Sequence, residues 1–246
     1  MKNLALITTI TGNWTKLLPA LKGVDSYVLT TNRTEEFKNN AEEQGWIVKY
    51  LTHLEHTTDL TEASIQAKHA KFLIFDVELE YDDEERLMNK YDYILYHDHK
   101  YFFHGLDQIQ NLVDVVEDNF VVLGEEWFSV FEEYFRCMAY GRYIGVESKI
   151  RDNIDWYIGN RSWEYCTQKQ SANMSFLLWN TRKPGLPQFL EDLKTEFFKF
   201  YHPECQVLFN LFYYDRKDII KLVNSSEVFG GLGREILEPY KQGINY

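Results

Sequence analysis

The amino-acid sequence predicts an α/β domain built on parallel strands, and three observations predict it. Unbroken β-rich runs recur at Leu4–Thr9, Asp25–Thr30 and Trp46–Leu51. The stretches between them carry apolar residues at helical spacing. The chain has 246 residues, 45% of them hydrophobic and 16% aromatic, enough to bury about three quarters of its unfolded surface in a single core.

The elements follow in order. Between the first two strands, Trp14, Leu17, Leu18 and Leu21 have the spacing of one helix face. Between the second and third, Phe37 and Ala41 stand among charges, so parallel strands joined by crossover helices are expected. Residues Thr61–Ala70 read as a helix, and Tyr91–Tyr96 as a fourth strand, apolar or aromatic except for Asp92. That strand runs directly into His97-Asp98-His99-Lys100. Polar residues at the carboxyl end of a buried strand are where open α/β sheets bind ligands. Ile109, Leu112, Val113 and Val116 predict a helix, and Asn119–Leu123 a strand. Trp127, Val130, Phe131, Tyr134, Phe135 and Met138 then form an amphipathic stripe expected to face the core. Met174–Trp179 reads as a strand, Gln188–Tyr201 as a helix with Phe189, Leu193, Phe197 and Phe200 inward, and Gln206–Phe212 as a further helix. From Gly230 the glycine-rich tail reads as loop. No internal repeat or linker divides the chain, so residues 1–246 are expected to form one domain.

Composition narrows the function classes. A net charge of −12 disfavours nucleic acid, whose phosphates require clustered Lys and Arg. Cys137, Cys166 and Cys205 are odd in number and widely spaced, which fits a reducing, cytoplasm-like compartment and no zinc pair. No apolar run approaches the roughly 18 residues of a membrane span, so a soluble cytoplasmic protein is expected. The acidic cluster Glu78, Glu80, Asp82, Asp83, Glu84 and Glu85 reads as a solvated loop.

The segment Lys90-Tyr91-Asp92-Tyr93-Ile94-Leu95-Tyr96-His97-Asp98-His99-Lys100 resembles the Tyr-Asp-x-apolar-x-x-x-Asp-x-Asp strand of GT-A glycosyltransferases, in particular the small transferases of polysaccharide and large-virus type, whose acidic motif is degenerate. Asp98 matches the first acid and Lys100 replaces the second. Asn173-Met174-Ser175-Phe176-Leu177-Leu178-Trp179-Asn180 resembles the Asn-x-Gly strand of the same family, with Ser175 in place of glycine. Glu204-Cys205-Gln206-Val207-Leu208-Phe209-Asn210 resembles its Asp-Gln helix start, with Cys205 in the Asp position. Thr8–Asn13 resembles the nucleotide loop, Tyr27–Asn32 the second strand that contacts the base, and Lys68-His69-Ala70-Lys71 the basic helix that reaches toward the diphosphate. The resemblance spans roughly residues 4–212 in order, and the series carries more weight than any one motif.

What the resemblance implies is a GT-A, Rossmann-like fold with a mixed, mostly parallel sheet flanked by helices. A nucleotide-binding part would occupy about residues 1–123 and an acceptor part about 124–246. It further implies transfer of a sugar from a nucleotide-sugar donor, with UDP as the default, to a glycan or glycoconjugate. Thr9, Thr11, Gly12, Asn32, Lys68, Lys71, Lys100, Asn173 and Gln206 would bind the donor. The diphosphate needs either a divalent metal on oxygen ligands or cationic side chains. Two versions stay open: a Mn²⁺ or Mg²⁺ site built from Asp98 with His99 or His97, and a metal-independent site in which Lys100 supplies charge. Asp98 and Glu204 are the catalytic candidates. Glu204, at a helix start beside Gln206, is the candidate base, against an alternative as a carboxylate favoured by the helix dipole. The basic, aromatic segment Tyr140–Tyr165, with Arg142, Arg151, Arg161, Trp156 and Trp163, is the candidate acceptor site.

Two other classes compete. His97-Asp98 together with His53, His56, His69, His99, His104 and His202 suggests a metal-dependent phosphohydrolase, although that chemistry belongs on a helical bundle. The missing second acid suggests a catalytically inactive GT-A sugar- or nucleotide-binding protein.

Overall fold

A computed structural model of the chain describes residues 3–13, 16–77, 86–116, 118–139, 143–224 and 233–234. Its centre is a seven-stranded sheet in the order β3-β2-β1-β4-β7-β6-β8. The strands are β1 (Leu4–Ile10), β2 (Asp25–Thr30), β3 (Ile47–Tyr50), β4 (Tyr93–His97), β6 (Val121–Glu126), β7 (Ser171–Asn180) and β8 (Ile220–Val223), while β5 (Tyr101–Phe102) lies outside this sheet. Neighbours pair in parallel except for β7, which runs antiparallel to both β4 and β6. The mixed, mostly parallel sheet expected from sequence is therefore present.

Helices cover both faces. They are α1 (Glu35–Glu43), α2 (Leu60–Lys71), α3 (Ile74–Val77), α4 (Leu87–Lys90), α5 (Leu106–Val115), α6 (Val130–Ala139), α7 (Glu147–Asn160), α8 (Glu164–Thr167), α9 (Leu186–Phe200) and α10 (Cys205–Tyr213). The main core unites residues of β1, β4 and β7 with α2, α3, α9 and α10, including Phe72, Trp179, Phe197 and Phe209. A second core packs α5 on the opposite face through Ile109, Leu112 and Val113. A third, around Ile150, Ile154, Val207 and Leu211, joins α7 to α10. Two caps mark helix starts where the sequence supplies an oxygen: Thr34 Oγ1 accepts from Phe37 N ahead of α1, and Asp59 Oδ1 from Glu62 N ahead of α2.

Three expectations are corrected. Residues 16–24 are not helical. Leu17 and Leu18 are buried as the helical spacing implied, but Pro19 follows them and Ala20 N donates to the carbonyl of Gln44, the C-cap of α1. Trp14 lies outside the described residues. Secondly, the stripe from Trp127 to Met138 is only partly inward: Val130 is buried, whereas Trp127 precedes the helix and is exposed, as is Phe135. Thirdly, Gly233–Arg234 in the tail forms β9, antiparallel to β5. The acidic cluster at residues 78–85, Tyr140 and Arg142 lie outside the described residues. All three cysteines are buried and in thiol form, outside any disulfide, and among the described residues no helix is long and apolar enough to cross a membrane.

Candidate active site

The carboxyl ends of the strands carry two polar regions, and α2 borders both. The first is an open cleft of about 840 Å³ lined by Asn13, Thr31–Thr34 and Thr52–His56. It lies beyond β1, β2 and β3, where an α/β sheet accommodates a ligand. From α2, Gln66 Nε2 donates to Glu55 O at 2.7 Å, and His69 Nδ1 lies 3.1 Å from His53 Nε2. Asn32, expected from sequence, lines this cleft, and its Oδ1 accepts from Thr34 N and Thr34 Oγ1.

Thr9, Thr11 and Gly12 support the cleft from beneath. Thr9 Oγ1 donates to Leu29 O, and Thr11 Oγ1 to Ala63 O on α2 at 2.7 Å. Gly12 adopts φ +66°, and a Cβ there would lie 2.9 Å from Ala63 Cβ. Only glycine lets this loop approach α2 so closely. Arg33 and Thr52 were not singled out from sequence, and His53 and His56 only for the phosphohydrolase alternative; all four follow β2 and β3, where the strand-end rule points.

The second region gathers residues from six elements. Lys68 and Lys71, one turn apart on α2, are 7% and 3% exposed. Lys71 Nζ lies 2.9 Å from Asp98 Oδ1, donates to Met174 O at 2.8 Å, and approaches Cys205 Sγ at 3.7 Å. Tyr96 OH donates to the same Asp98 oxygen at 2.9 Å. Burial opposes ionisation of Asp98, but Lys71 and Lys100 outweigh it and hold its pKa below the ordinary carboxylate value. Burial likewise opposes the Lys71 charge, and Asp98 more than restores it. Lys68 has no ion pair or hydrogen bond among the described residues; burial depresses its pKa, against the pull of Cys205, Asp98 and Glu204.

Asn173 and Gln206, on β7 and α10, meet through a residue that sequence reasoning did not select. Glu126, the last residue of β6, accepts from Asn173 Nδ2 on one oxygen and from Gln206 Nε2 at 3.1 Å on the other. Asn210 secures α10 against β7, accepting from Ala172 N and donating to Ala172 O.

Glu204 is the N-cap of α10 and is 3% exposed. Its Oε1 accepts from Gln206 N at 3.1 Å and its Oε2 from Cys137 Sγ at 3.2 Å. His202 braces the same turn: Glu204 N donates to its Nδ1, and its Nε2 faces Asn153 Oδ1 at 3.1 Å. The carboxylate thus stands where the helix-dipole alternative places it, with both oxygens engaged.

The metal implied by the resemblance can be tested on these donors. Asp98 is ion-paired with a buried ammonium, and its neighbour His97 turns Nδ1 to the Asp98 carbonyl at 3.2 Å. His99 is held below its ordinary pKa, at about 4, chiefly by burial, with Lys100, His97 and Lys71 adding to the depression. A cation beside Asp98 would face Lys71 at contact distance, so Asp98 with His99 or His97 fits a divalent ion poorly. Among the described residues the one group with metal-ligand proximity is Glu133, Cys137 and Glu204, whose donor atoms lie within 4.8 Å of one another. There Glu133 is already paired with Arg136 at 2.5 Å. The ammonium beside Asp98 is Lys71, whereas Lys100 lies over the Tyr101 ring at 5.5 Å.

The acceptor candidates are placed apart from this network. Trp156 packs against Tyr157 and Phe200, and Lys199 Nζ lies 3.0 Å from its ring centre. Trp163, just ahead of α8, is 62% exposed.

No protein-family model and no curated protein sequence matches the chain. Solved structures similar to it are glycosyltransferases. Mouse xyloside xylosyltransferase 1 is 8% identical, with a TM-score of 0.46 over 90% of this chain and 84% of that one. The galactosyltransferase LgtC, in complex with donor and acceptor sugar analogues, is 15% identical, with a TM-score of 0.48 over 90% and 73%. Glucosyl-3-phosphoglycerate synthase from Mycobacterium tuberculosis, in complex with Mn²⁺, UDP and glucosyl-3-phosphoglycerate, is 12% identical, with a TM-score of 0.40 over 98% and 75%. At this level of similarity the functional reading rests on the side chains of this chain.

Proposed function

We propose that the chain is a glycosyltransferase that moves a sugar from a nucleoside-diphosphate sugar, UDP-linked by resemblance, to a hydroxyl of a glycan or glycoconjugate. The observation that carries this reading is the Lys68–Lys71 pair: two buried amines on one helix, only one of them ion-paired among the described residues, beside a polar cleft at the strand ends. A buried unpaired cation is costly unless an anion joins it, and a diphosphate supplies that anion.

In this reading the nucleoside occupies the cleft around Asn32, over the floor made by Thr9, Thr11 and Gly12. The diphosphate meets Lys68, with Lys71 and Lys100 adding to the positive field, and the sugar lies against Asn173 and Gln206. The bond from the sugar's anomeric carbon to the phosphate oxygen breaks, and a bond to the acceptor oxygen forms. Fixed cations stabilise the charge that gathers on the departing phosphate. Neither catalytic candidate is set up to take the acceptor proton: Asp98 has a depressed pKa, Glu204 is engaged as a helix cap, and in this reading the departing phosphate oxygen receives it. Trp163, with its exposed ring, is the better placed of the two tryptophans to stack on an acceptor sugar.

The test is thermal stability with UDP, GDP, CMP and TDP, each in EDTA and in Mn²⁺, since a ligand that binds only the native state raises the melting temperature. A shift with one nucleotide that survives EDTA is expected. No shift with any of them would refute the donor site.

A further inference from the structure

We infer that Glu126 is a positioning residue that sets what the Asn173 and Gln206 amides recognise, by turning both so that together they match neighbouring hydroxyls of a sugar. The class of ligand rests on the glycosyl-transfer reading above. The orientation of the amides rests on hydrogen bonding alone.

An ionised carboxylate only accepts hydrogen bonds, so each amide touching Glu126 must turn its NH₂ group toward it. Asn173 Nδ2 donates to one Glu126 oxygen while Asn173 Oδ1 accepts from Ser175 N at 2.7 Å, which fixes that amide at both ends. One N–H of Asn173 is left for a ligand. Gln206 donates from Nε2 to the second Glu126 oxygen, which leaves its Oε1 and its other N–H. Its backbone is also held: the Gln206 N–H bonds Glu204, and its carbonyl accepts from Asn210 Nδ2 at 2.7 Å. The two amides therefore keep two N–H donors and one carbonyl acceptor in a set order. A sugar diol, whose hydroxyls both donate and accept, complements such a set.

Local backbone features bring Glu126 into place. The β6–β7 register shifts between Leu123 and Gly124, so that Gly124 faces Asn173 and Glu126 faces Ser171. A Cβ on Gly124 would lie 3.2 Å from Asn173 Cβ and 3.3 Å from the Phe176 ring, closer than ordinary contact. Gly124 lets the strands close, and Glu126 then reaches both amides.

Replacing the carboxylate with an amide of the same shape, Glu126→Gln, makes one of its two contact atoms a donor, so one partner amide must flip. The test follows the Asn173 and Gln206 side-chain amides by nitrogen-15 NMR during titration with UDP, UDP-glucose, UDP-galactose, UDP-xylose and the three free monosaccharides. Sugar-bearing probes are expected to move both amide signals in the wild type. Glu126→Gln is expected to change the affinity ratio among those probes by about tenfold, the scale of one lost or reversed hydrogen bond in a discriminating pocket. UDP affinity should stay within about twofold, since UDP lacks the sugar that the amides contact. Glu126→Asp, which still only accepts, should restore most of the wild-type ratio. The inference is overturned if Glu126→Gln leaves every ratio unchanged, or if no sugar-bearing probe moves the two amides. Binding of monosaccharides without nucleotides would refute the donor reading and leave the role of Glu126 standing.

Discussion

Lys71 and Asp98 form an ion pair of 2.9 Å in which the cation is almost wholly buried while the Asp98 side chain stays a quarter exposed. Removing one partner leaves the other charged without compensation. Lys71→Met should therefore destabilise the fold by roughly 2–3 kcal/mol, below the range for a fully buried pair because Asp98 keeps contact with water. Removing both charges in Lys71→Met/Asp98→Asn should cost less than the sum of the two single variants. Urea denaturation of the three variants measures the difference, and strict additivity would mean that the pair contributes nothing.

Lys68 has a different task. Lys68→Met should leave stability unchanged or raise it, because a buried unpaired ammonium is removed. The same variant should weaken UDP binding by about tenfold or more while leaving uridine binding as it was, as expected when one charge-assisted phosphate contact is lost. Calorimetry with uridine, UMP and UDP separates these effects. Equal losses for all three ligands would place Lys68 away from the phosphates.

Glu204 offers a direct choice between capping and proton transfer. As an N-cap acceptor it can be replaced by glutamine, whose Oε1 still accepts from Gln206 N. Glu204→Gln should then retain turnover, whereas Glu204→Ala should lose about 1 kcal/mol of stability along with activity. A stable Glu204→Gln protein that binds donor but does not turn over would return Glu204 to the role of base.

Acid should destabilise the protein through its buried histidines. His202 is held near a pKa of about 3, by burial first and then by Lys68 and Lys149, and His99 near about 4. Both folded values lie below the ordinary 6.5. The stability linked to their neutral forms is thus complete above 6.5 and is lost as pH falls toward 4 and then 3. Each histidine should contribute a slope of about 1.4 kcal/mol per pH unit within that window. The geometry agrees with a neutral His202 ring, since its Nδ1 accepts from Glu204 N. His202→Asn should flatten the decline in urea stability measured between pH 6.5 and 4; an unchanged slope would locate the acid sensitivity elsewhere.

Gly12 provides a test of the cleft floor. Gly12→Ala should destabilise by about 1–3 kcal/mol, because a side chain must adopt a left-handed backbone and also displace Ala63. Nucleotide binding should weaken in step, as read by calorimetry at a temperature where the variant is folded.

Much of the fold was legible because β1 to β4 and the centres of β6 and β7 are runs of β-formers between polar segments, and the same logic located Asp98 at a strand end; the short strands β5, β8 and β9 carry no such signal. The signal misled where apolar spacing was read without its punctuation. Leu17, Leu18 and Leu21 have helical spacing, yet Pro19 interrupts them and the segment packs as a loop. Short local motifs drew attention to Lys68, Lys71, Asp98, Asn173 and Gln206, and the structure places Lys71 on Asp98 and joins Asn173 to Gln206 through Glu126. Glu126 was not legible, because its partners lie 47 and 80 residues away and only the shifted register of β6 joins them. Nor does sequence show that Lys71 forms the direct ion pair with Asp98; that depends on how α2 lies across the sheet.

The reversed direction of β7 separates two kinds of connection. Its first residues, Ser171–Ser175, lie among the carboxyl ends of β4 and β6, whereas its last, Asn180, pairs with Tyr93 at the start of β4. The turn that follows, Thr181–Gly185, therefore emerges at the end of the sheet opposite Glu126. A fluorophore, an affinity tag or an inserted domain placed in that turn would ride on the rigid centre of the molecule without crowding the ligand side, which makes it the attachment point for reporting on the cleft from a distance.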